Sequence, residues 1–184
     1  MKSLRYYLAL FTIAGLIVAL DQWTKSLIRA NIPFGGMWLP EGWESLAPYA
    51  RVVHWRNTGA AFGMFKDGAL IFTVLAFIVI AAILWFYRQI EPQDWFLRLA
   101  LAMQFAGAVG NLIDRLRFDG VVTDWISIGN FAVFNVADAS ITVGTGIMLL
   151  GVWIMEKRDE QARAASDSSA DGDDASRVGT EESV

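Results

Sequence analysis

The sequence contains no cysteine and one histidine, His54, in 184 residues. The lack of cysteine excludes a disulfide framework, a thiol nucleophile and a thiolate metal site. A single histidine excludes a histidine-rich zinc site and a His-Glu-x-x-His metalloprotease, and a Ser-His-Asp triad would have to use His54 itself. Any hydrolytic chemistry in this chain is therefore expected to depend on carboxylates.

Charged residues are also scarce, since they make up 18% of the chain and hydrophobic residues 55%. Soluble domains have about 25% charged and about 45–50% apolar residues, so this composition is typical of a membrane protein. Segment 156–184 carries nine acidic and four basic residues, and the remaining ten acidic and eleven basic residues lie in 1–155. The net charge of −4 thus belongs to the C-terminal segment, and no basic stripe indicates a nucleic-acid partner.

Segment 156–184 is poor in large apolar residues and rich in Ala, Ser, Asp, Gly and Glu. Such a composition buries too little apolar surface to offset the entropy of ordering the chain. We therefore expect an integral membrane domain at 1–155, followed by a disordered cytoplasmic tail at 156–184.

Four apolar stretches lack Asp, Glu, Lys and Arg: Tyr6–Leu20, Gly68–Tyr87, Leu99–Ile113 and Ala139–Met155. A helix needs about 20 residues to cross a hydrocarbon core about 30 Å thick. Only the second stretch is that long, so the other three must take charged residues to the membrane boundary. The predicted transmembrane helices lie at about 6–28, 68–87, 96–114 and 136–155.

The first stretch could instead be a cleavable signal peptide, because Lys2 and Arg5 precede it. However, Leu20–Trp23 does not form a small-x-small cleavage site, and the apolar pattern continues as far as Ile28. The sequence therefore favours an uncleaved helix.

Basic residues near the span ends predict the orientation. They are densest in the short segments 1–5, 88–98 and 156–158, which places both termini in the cytoplasm. Loops 21–67 and 114–138 then face outward. An aspartate lies at the outer end of each span, and ionisable groups at that depth are functional candidates. These residues are Asp21, Asp67, Asp114 and Asp138.

The first outer loop is expected to contribute strands to a small sheet above the helices. Residues 52–56 are typical of a strand, 57–59 of a turn and 61–65 of a partner strand. Segment 43–50 predicts a short amphipathic helix on the membrane surface.

The second outer loop predicts a strand around 121–126 and a hairpin turn at Gly129 and Asn130, before 131–134. The predicted fold class is an all-α membrane bundle of four transmembrane helices with a small extracytoplasmic β-sheet on the outer face.

Two segments repeat the spacing of an Asn three residues before an Asp, namely Asn111 with Asp114 and Asn135 with Asp138. Residues three apart are neighbours on a helix, so each amide can hydrogen-bond its aspartate or a shared partner. Asp124 lies between the two segments, among apolar residues. Two carboxylates held close together share one proton, an arrangement that suits the activation of water.

Three acids compete for the two places in such a pair. Asp114 is followed by Arg115 and Arg117, and adjacent guanidinium groups favour its ionised form and a structural ion pair. Asp124 and Asp138 have no basic neighbours in sequence, so this pair is slightly preferred over Asp114 with Asp138. The alternative that these acids only cap helices or pair with arginines at the interface stays open.

Other polar and small residues have simpler interpretations. Asp21 and Lys25 have the i,i+4 spacing of a helical ion pair, and a structural salt bridge is preferred over a catalytic role. His54 is interpreted as a surface or interface residue. Glycines at 107, 110, 144 and 146 suit close helix packing in a membrane rather than a phosphate-binding loop.

Five segments, taken in order, resemble those of the lipoprotein signal peptidases (signal peptidase II), four-span aspartic proteases of the bacterial cytoplasmic membrane. They are Asp21–Lys25, Asn57–Gly63, Ala108–Arg115, Val121–Ile126 and Phe134–Asp138. Any one segment alone would be weak support for the resemblance. All five in order cover most of residues 6–155, which makes the resemblance specific.

The resemblance implies an enzyme that removes the signal peptide from diacylglyceryl-modified prolipoproteins, just before the lipidated cysteine. It implies that Asp124 and Asp138 form the catalytic dyad. Asp21, with Lys25 beside it, matches a position linked to stability. The positions that would line or support the site are Asn57, Asn111, Asp114, Arg115 and Asn135. No metal or organic cofactor and no nucleic acid is expected, and the protein is expected to work as a monomer in membrane lipid.

The chain departs from the family pattern in three places, and the first is Ala106, where the family often has Gly. Fourteen positions separate Asp124 from Asp138, so a short outer hairpin is expected, and one residue is added between Asp114 and Asp124. Two other classes remain as alternatives. A proton-coupled transporter also clusters acids in the membrane but has repeated halves and more spans. A non-catalytic assembly factor would leave the Asn and Asp segments without a role.

Overall fold

The chain forms four long helices and a three-stranded sheet in a computed structural model that describes residues 2–59, 68–91 and 93–181. The helices are α1 (Lys2–Asn31), α2 (Ala69–Tyr87), α3 (Trp95–Arg117) and α4 (Val136–Glu181). The strands are β1 (Met37–Trp38), β2 (Ala50–Asn57) and β3 (Val122–Ile128).

Each helix contains a segment that is long and apolar enough to cross a membrane. These segments are Tyr7–Asn31, Ala69–Tyr87, Trp95–Arg117 and Val136–Arg158. The four predicted spans are thus confirmed, and three of them extend by up to one helical turn beyond the predicted end. The added residues include charged ones, as predicted for spans whose uncharged stretches are too short to cross the membrane.

α3 is the helix on which the other three pack, because it contacts α1, α2 and α4. Its buried face is built largely from small residues, which allow neighbouring backbones to come close without a large side chain between them. Those residues are Ala100, Ala102, Ala106, Gly107, Ala108 and Gly110. The buried polar residues of α3, Asn111 and Asp114, occupy its last turns, at the end of the bundle that carries the sheet.

The closest approach joins α3 to the start of α4. A methyl group added at Gly107 would collide with the carbonyl oxygen of Ala137 and lie 2.5 Å from Ile141 Cγ1. A methyl group added at Gly110 would lie 2.8 Å from Asp21 Oδ2 and 3.1 Å from Ala137 Cβ. The absence of side chains at these two positions therefore lets α1, α3 and α4 converge at one level.

The sheet lies at one end of the bundle, where β3 contacts α1 and α3. Its strand order is β1-β2-β3 and both pairings are antiparallel, with Trp55 opposite Asp124. β2 has an irregular register between Val52 and Trp55, so the ladder is interrupted next to Asp124. The predicted hairpin turn is present, since Gly129 has a φ of +50° and Phe134 pairs with Ile126.

One prediction about the first outer loop needs correction, and another concerns residues that the structure does not describe. The predicted strand at 61–65 falls outside the described residues, and among the described strands β2 pairs with β1 and β3. Segment 43–50 forms one turn of 3-10 helix, Glu44–Leu46, instead of an amphipathic helix. Pro48 explains this, because proline lacks an N–H and disfavours helical geometry in the residue before it.

The C-terminal segment also differs from the prediction. α4 continues to Glu181, so residues 156–181 are helical where the composition predicts a disordered tail. Residues 156–165 are mostly Glu, Lys, Arg, Gln and Ala, which are good helix formers. They follow a helix that already exists, so no new nucleus is required. Lys157 Nζ also donates to Glu160 Oε2 at 3.0 Å.

We expect Gly107→Ala to destabilise the bundle because the new methyl group has no room between α3 and α4. The expected cost is about 1–3 kcal/mol, measured as a lower midpoint of thermal unfolding in detergent. Gly146→Ala in α4 is the matched control, since nothing lies within 4 Å of its added methyl group. The control should leave the midpoint unchanged or raise it slightly. Equal midpoints for the two variants would contradict the close contact at Gly107.

Candidate active site

The polar residues singled out in the sequence come together where α1, α3, the start of α4 and the sheet meet. Hydrogen bonds and ion pairs join all of them into one continuous network. They are Asp21, Lys25, Asn57, Asn111, Asp114, Arg115, Asp124, Asn135 and Asp138. Asp21, Lys25, Asp114 and Asn135 are completely buried, and Asp124 is 1% exposed.

The buried ammonium group of Lys25 lies at the centre of this network. Lys25 Nζ is 2.8 Å from Asp21 Oδ2, so the ion pair predicted from the i,i+4 spacing is present. It is also 3.5 Å from Asp114 Oδ2 and donates to Asn111 Oδ1 at 3.1 Å. A buried charge is tolerated only when it is paired and hydrogen-bonded, and here two carboxylates and an amide surround one cation.

Asp114 pairs with α1, not with the arginines that follow it. Its carboxylate lies near Lys25 and 3.7 Å from Arg29 Nη1. The correction has a simple reason: consecutive residues on a helix point in different directions, so Arg115 is turned away from Asp114. Arg115 Nη1 instead donates to the carbonyl oxygen of Asn111 at 3.5 Å.

The two buried carboxylates also hold neighbouring backbone in place. Asp114 Oδ2 accepts from the N–H of Thr123 in β3 at 2.9 Å, and Asp21 Oδ1 accepts from the N–H of Ala137 in α4 at 2.9 Å. Gln22 Nε2 donates to Asp114 Oδ1 at 3.0 Å. The charged cluster of α1 and α3 therefore fixes the strand and the helix that carry Asp124 and Asp138.

The contacts of Asn111 determine which way its amide points. Its Oδ1 accepts from Lys25 Nζ and from Asn135 Nδ2, both at 3.1 Å. Its Nδ2 is thereby directed to Asp138 Oδ1, at 2.7 Å. Asn111 and Asp114 share Lys25 as a partner, which is one of the two arrangements that their spacing predicts.

Asn135 connects the two candidate acids. Its Nδ2 donates to Asp124 Oδ1 at 2.7 Å, its backbone N–H donates to Asp138 Oδ2 at 3.2 Å, and its Oδ1 accepts from the N–H of Asp138 at 2.9 Å. The reciprocal bonds between Asn135 and Asp138 form a capping box at the start of α4. The predicted contact between an Asn and the Asp three residues later is thus present in this segment.

Asp124 is enclosed by protein. Asn57 Nδ2 donates to its Oδ2 at 2.9 Å, opposite the bond from Asn135. Burial, with a further contribution from the negative charge of Asp138, raises the pKa of Asp124 to about 7, although both amide bonds and Lys25 oppose this. Asp124 therefore retains a proton for a large part of the time at neutral pH, as expected for an acid among apolar residues.

A cavity of about 520 Å³ lies beside Asp138. Its polar end includes Asn57, Asn111 and Arg115, and apolar side chains of α2, α4 and the segment before α4 form the other walls. Those apolar residues include Phe72, Phe131, Phe134, Ile141 and Val143. Asp138 lines this space, whereas Asp124 lies behind it. Such a volume accommodates a few residues of a peptide.

The guanidinium group of Arg115 has unused hydrogen-bonding capacity at this cavity. Within the part of the chain that the structure describes, its Nε is buried without a hydrogen-bond partner, and its Cζ lies 5.7 Å from the ring centre of Phe72. Among residues 2–59, 68–91 and 93–181, no group of three or more His, Asp or Glu side chains is arranged to hold a metal ion.

His54 is not part of the network, and of its two predicted places, the surface or an interface, the surface is wrong. It is 6% exposed, and its Nδ1 donates to the carbonyl oxygen of Ile32 at 2.7 Å. This face of β2 packs against the chain that leaves α1, which buries the ring.

The sequence analysis missed Gln22, Arg29 and Thr123 as members of this network. The signal for Arg29 was available, because Asp21, Lys25 and Arg29 recur every four residues and so lie along one face of α1. Thr123 carried no such signal, since its partners come from distant parts of the chain.

Comparisons with known proteins give a uniform result. The family model described as signal peptidase (SPase) II matches residues 13–154. A lipoprotein signal peptidase of Syntrophotalea carbinolica is 36% identical over 158 residues, which cover 82% of this chain and 94% of that protein. A lipoprotein signal peptidase of Bartonella tribocorum is 37% identical over 164 residues, covering 82% and 92%. A solved bacterial membrane enzyme structure has a TM-score of 0.71 at 28% identity and covers 79% of this chain and 87% of that one.

We expect Lys25→Met to destabilise the protein strongly, because it leaves Asp21 buried without its cation and Asp114 with Arg29 alone, at 3.7 Å. Breaking a buried ion pair on one side costs about 3–5 kcal/mol, measured as a lower midpoint of thermal unfolding in detergent. Lys157→Met is the control, since its pair with Glu160 is exposed and such pairs contribute at most about 1 kcal/mol. A similar midpoint for both variants would show that the buried cluster does not hold the fold together.

The raised pKa of Asp124 predicts how stability depends on pH. An unfolded aspartate has a pKa of about 3.9, whereas the folded value is about 7, so folding takes up a proton between these values. This contribution to stability is complete below about pH 4 and is lost as the pH rises through 7. Asp124→Asn cannot ionise and should therefore gain stability relative to wild type between pH 5 and 8. A pH-independent difference between their unfolding midpoints would contradict the raised pKa.

Proposed function

Because the chain belongs to the signal peptidase II family, we propose that it is an aspartic endopeptidase that cleaves diacylglyceryl-modified prolipoproteins just before the lipidated cysteine. Its membership already makes it a multi-pass membrane protease of the kind that removes signal peptides from lipoproteins. The observation that carries the finer proposal is that Asn135 and Asn111 hold two carboxyl groups, Asp124 and Asp138, beside a cavity.

Asp124 and Asp138 act as a pair that holds one proton. Two like charges held close together do not both ionise readily, and the raised pKa of Asp124 supports retention of a proton at neutral pH. The ionised carboxylate takes a proton from the attacking water, and the protonated carboxyl donates to the developing oxyanion or to the leaving amine. In this mechanism the carboxyl pair activates the water that attacks the scissile carbonyl carbon, and no metal ion takes part.

The amide groups orient this pair before substrate binds. Asp124 accepts from Asn57 and Asn135, and Asp138 accepts from Asn111 and the backbone of Asn135. Each of the four carboxylate oxygens therefore has an N–H donor that restricts its position. Fixed orientation supplies part of the rate enhancement, because the reacting groups no longer have to be ordered at the moment of reaction.

The cavity suits a substrate that arrives from the membrane. Its apolar walls come from helices α2 and α4 at their sheet ends, and its polar end contains Arg115 and Asp138. The signal helix packs among the spans with the acyl chains in lipid beside them, which brings the scissile bond to the level of the dyad. Arg115 donates to a carbonyl oxygen of the substrate, using the capacity that the protein leaves unfilled.

The proposed enzyme resides in the bacterial cytoplasmic membrane with both termini in the cytoplasm. This orientation follows from the dense basic segments at one end of the bundle, and it puts the sheet and the active site at the outer face. Its partners are lipid-modified prolipoproteins and membrane lipid. It uses no nucleic acid, requires no cofactor and works as a monomer.

We expect Asp124→Asn and Asp138→Asn each to lower the rate of cleavage of a lipidated precursor peptide by at least about 100-fold. Each variant removes a carboxyl group that transfers a proton but keeps a side chain of the same shape. A gel-shift assay in detergent micelles measures the rate, and mass spectrometry of the product locates the cleaved bond. Thermal unfolding of the same samples verifies that both variants are folded.

Asp119→Asn is the matched control. Asp119 is exposed and has a φ of 52°, a backbone conformation that asparagine adopts as readily as aspartate, so its variant should cleave at the wild-type rate. A second arm uses the same precursor without its lipid and should give no product. Near-normal cleavage by either dyad variant, or cleavage away from the lipidated cysteine, would refute the proposal.

A further inference from the structure

Thr123, the residue directly before Asp124 in β3, is held from three directions. Its backbone N–H donates to Asp114 Oδ2 at 2.9 Å, and its carbonyl oxygen accepts from Asn135 Nδ2 at 3.4 Å. Its hydroxyl accepts from Arg29 Nη1 at 2.9 Å. Thr123 is 4% exposed, so its polar groups depend on these three hydrogen bonds and not on water.

The guanidinium group of Arg29 is itself held in place. Its Nη1 lies 3.7 Å from Asp114 Oδ1, and its Cζ lies 4.6 Å from the ring centre of Phe118. Arg29 is in the last turns of α1, whereas Asp114 and Phe118 lie at the end of α3. A planar guanidinium held by the carboxylate and the ring has a fixed orientation, and the same Nη1 donates to the hydroxyl of Thr123 in β3.

Neutralisation of Asp114 does not by itself account for this arrangement. Asp114 already has Lys25 at 3.5 Å and accepts from Gln22 and from the N–H of Thr123. Arg29 is closer to the hydroxyl of Thr123 than to the carboxylate. Thr123 has nearly the shape of valine, and a buried hydroxyl is costly unless it has a partner, which Arg29 provides.

The strand pairing is irregular next to Asp124. Asp124 and Thr123 pair with Trp55 and Arg56, but the register of β2 is irregular between Val52 and Trp55, so the ladder is interrupted on one side of Asp124. A shift at Thr123 passes directly to Asp124 because the two residues share a peptide bond. A displacement of about 1 Å in a reacting group can cost up to about 100-fold in rate.

We propose that Arg29 is a positioning residue that acts through the hydroxyl of Thr123 to hold the carboxyl group of Asp124 in its reactive place. This inference rests on the proposed function, in which Asp124 belongs to the catalytic pair. Arg29 and Thr123 form a brace from α1 to β3, and neither residue contacts the reacting atoms.

The experiment measures kcat and KM for lipidated precursor cleavage by Thr123→Val, Thr123→Ser, Arg29→Met and the double variant Arg29→Met with Thr123→Val. Thr123→Val and Arg29→Met each remove the hydrogen bond between Arg29 and Thr123. Each should therefore lower kcat about tenfold and change KM by less than about twofold. Thr123→Ser keeps the hydroxyl and should retain most of the wild-type kcat. The double variant should be no slower than the slower single variant, because both changes remove one interaction.

Thr145→Val is the control for loss of a threonine hydroxyl. Its hydroxyl donates to the carbonyl oxygen of Ile141 within α4, so kcat should not change. Assays are made at a temperature well below every variant's unfolding midpoint. Three results would overturn the brace. They are an unchanged kcat in Thr123→Val, losses of kcat that multiply in the double variant, and losses of kcat that follow the thermal unfolding midpoints across all variants.

Hydrogen exchange of a peptide spanning 121–127 provides a readout that does not depend on activity. Exchange should be faster in Thr123→Val and Arg29→Met than in wild type and Thr123→Ser, and equal exchange in all four would overturn the brace. A wild-type protein that fails to cleave any lipidated precursor would refute the proposed function instead. The exchange measurement would still decide whether Arg29 holds β3.

Discussion

One buried cation, Lys25, sets the relative positions of the elements that form the site. An ammonium group without water must be surrounded by opposite charge and acceptors, and here Asp21, Asp114 and Asn111 supply them. Both carboxylates also accept from backbone N–H groups, one at the start of α4 and one in β3. The contacts that neutralise this one charge therefore join α1, α3, α4 and the sheet in a single arrangement.

The same cation determines how the proposed catalytic pair is held. Because Asn111 gives its oxygen to Lys25, its amide nitrogen is available for Asp138, and Asn135 connects Asp138 to Asp124. The two acids differ in surroundings, since Asp124 is enclosed and Asp138 lines the cavity. In the proposed mechanism, that difference lets two identical side chains divide the roles of acid and base.

Local regularity explains which parts of the fold could be predicted. The four spans follow from length and apolarity, the ion pair of Asp21 with Lys25 from helical spacing, and the turn at Gly129 from its residue types. Predictions were wrong where a distant contact or a single residue overrode the local pattern. β1 has two residues and forms because β2 is beside it, and His54 is buried by the chain that leaves α1.

The sequence by itself determined the four apolar spans and excluded thiol chemistry, and it predicted chemistry on carboxylates, because cysteine is absent, histidine occurs once and aspartates lie at the ends of short apolar spans. Residue types and spacing alone left three aspartates as candidates for the two places of the proposed pair. Only the tertiary structure shows how their surroundings differ, since Asp114 faces Lys25 on another helix whereas Asp124 and Asp138 share Asn135. The physical reason is that spacing along a helix is a local property, but the charge and burial around a carboxyl group depend on residues far away in the chain.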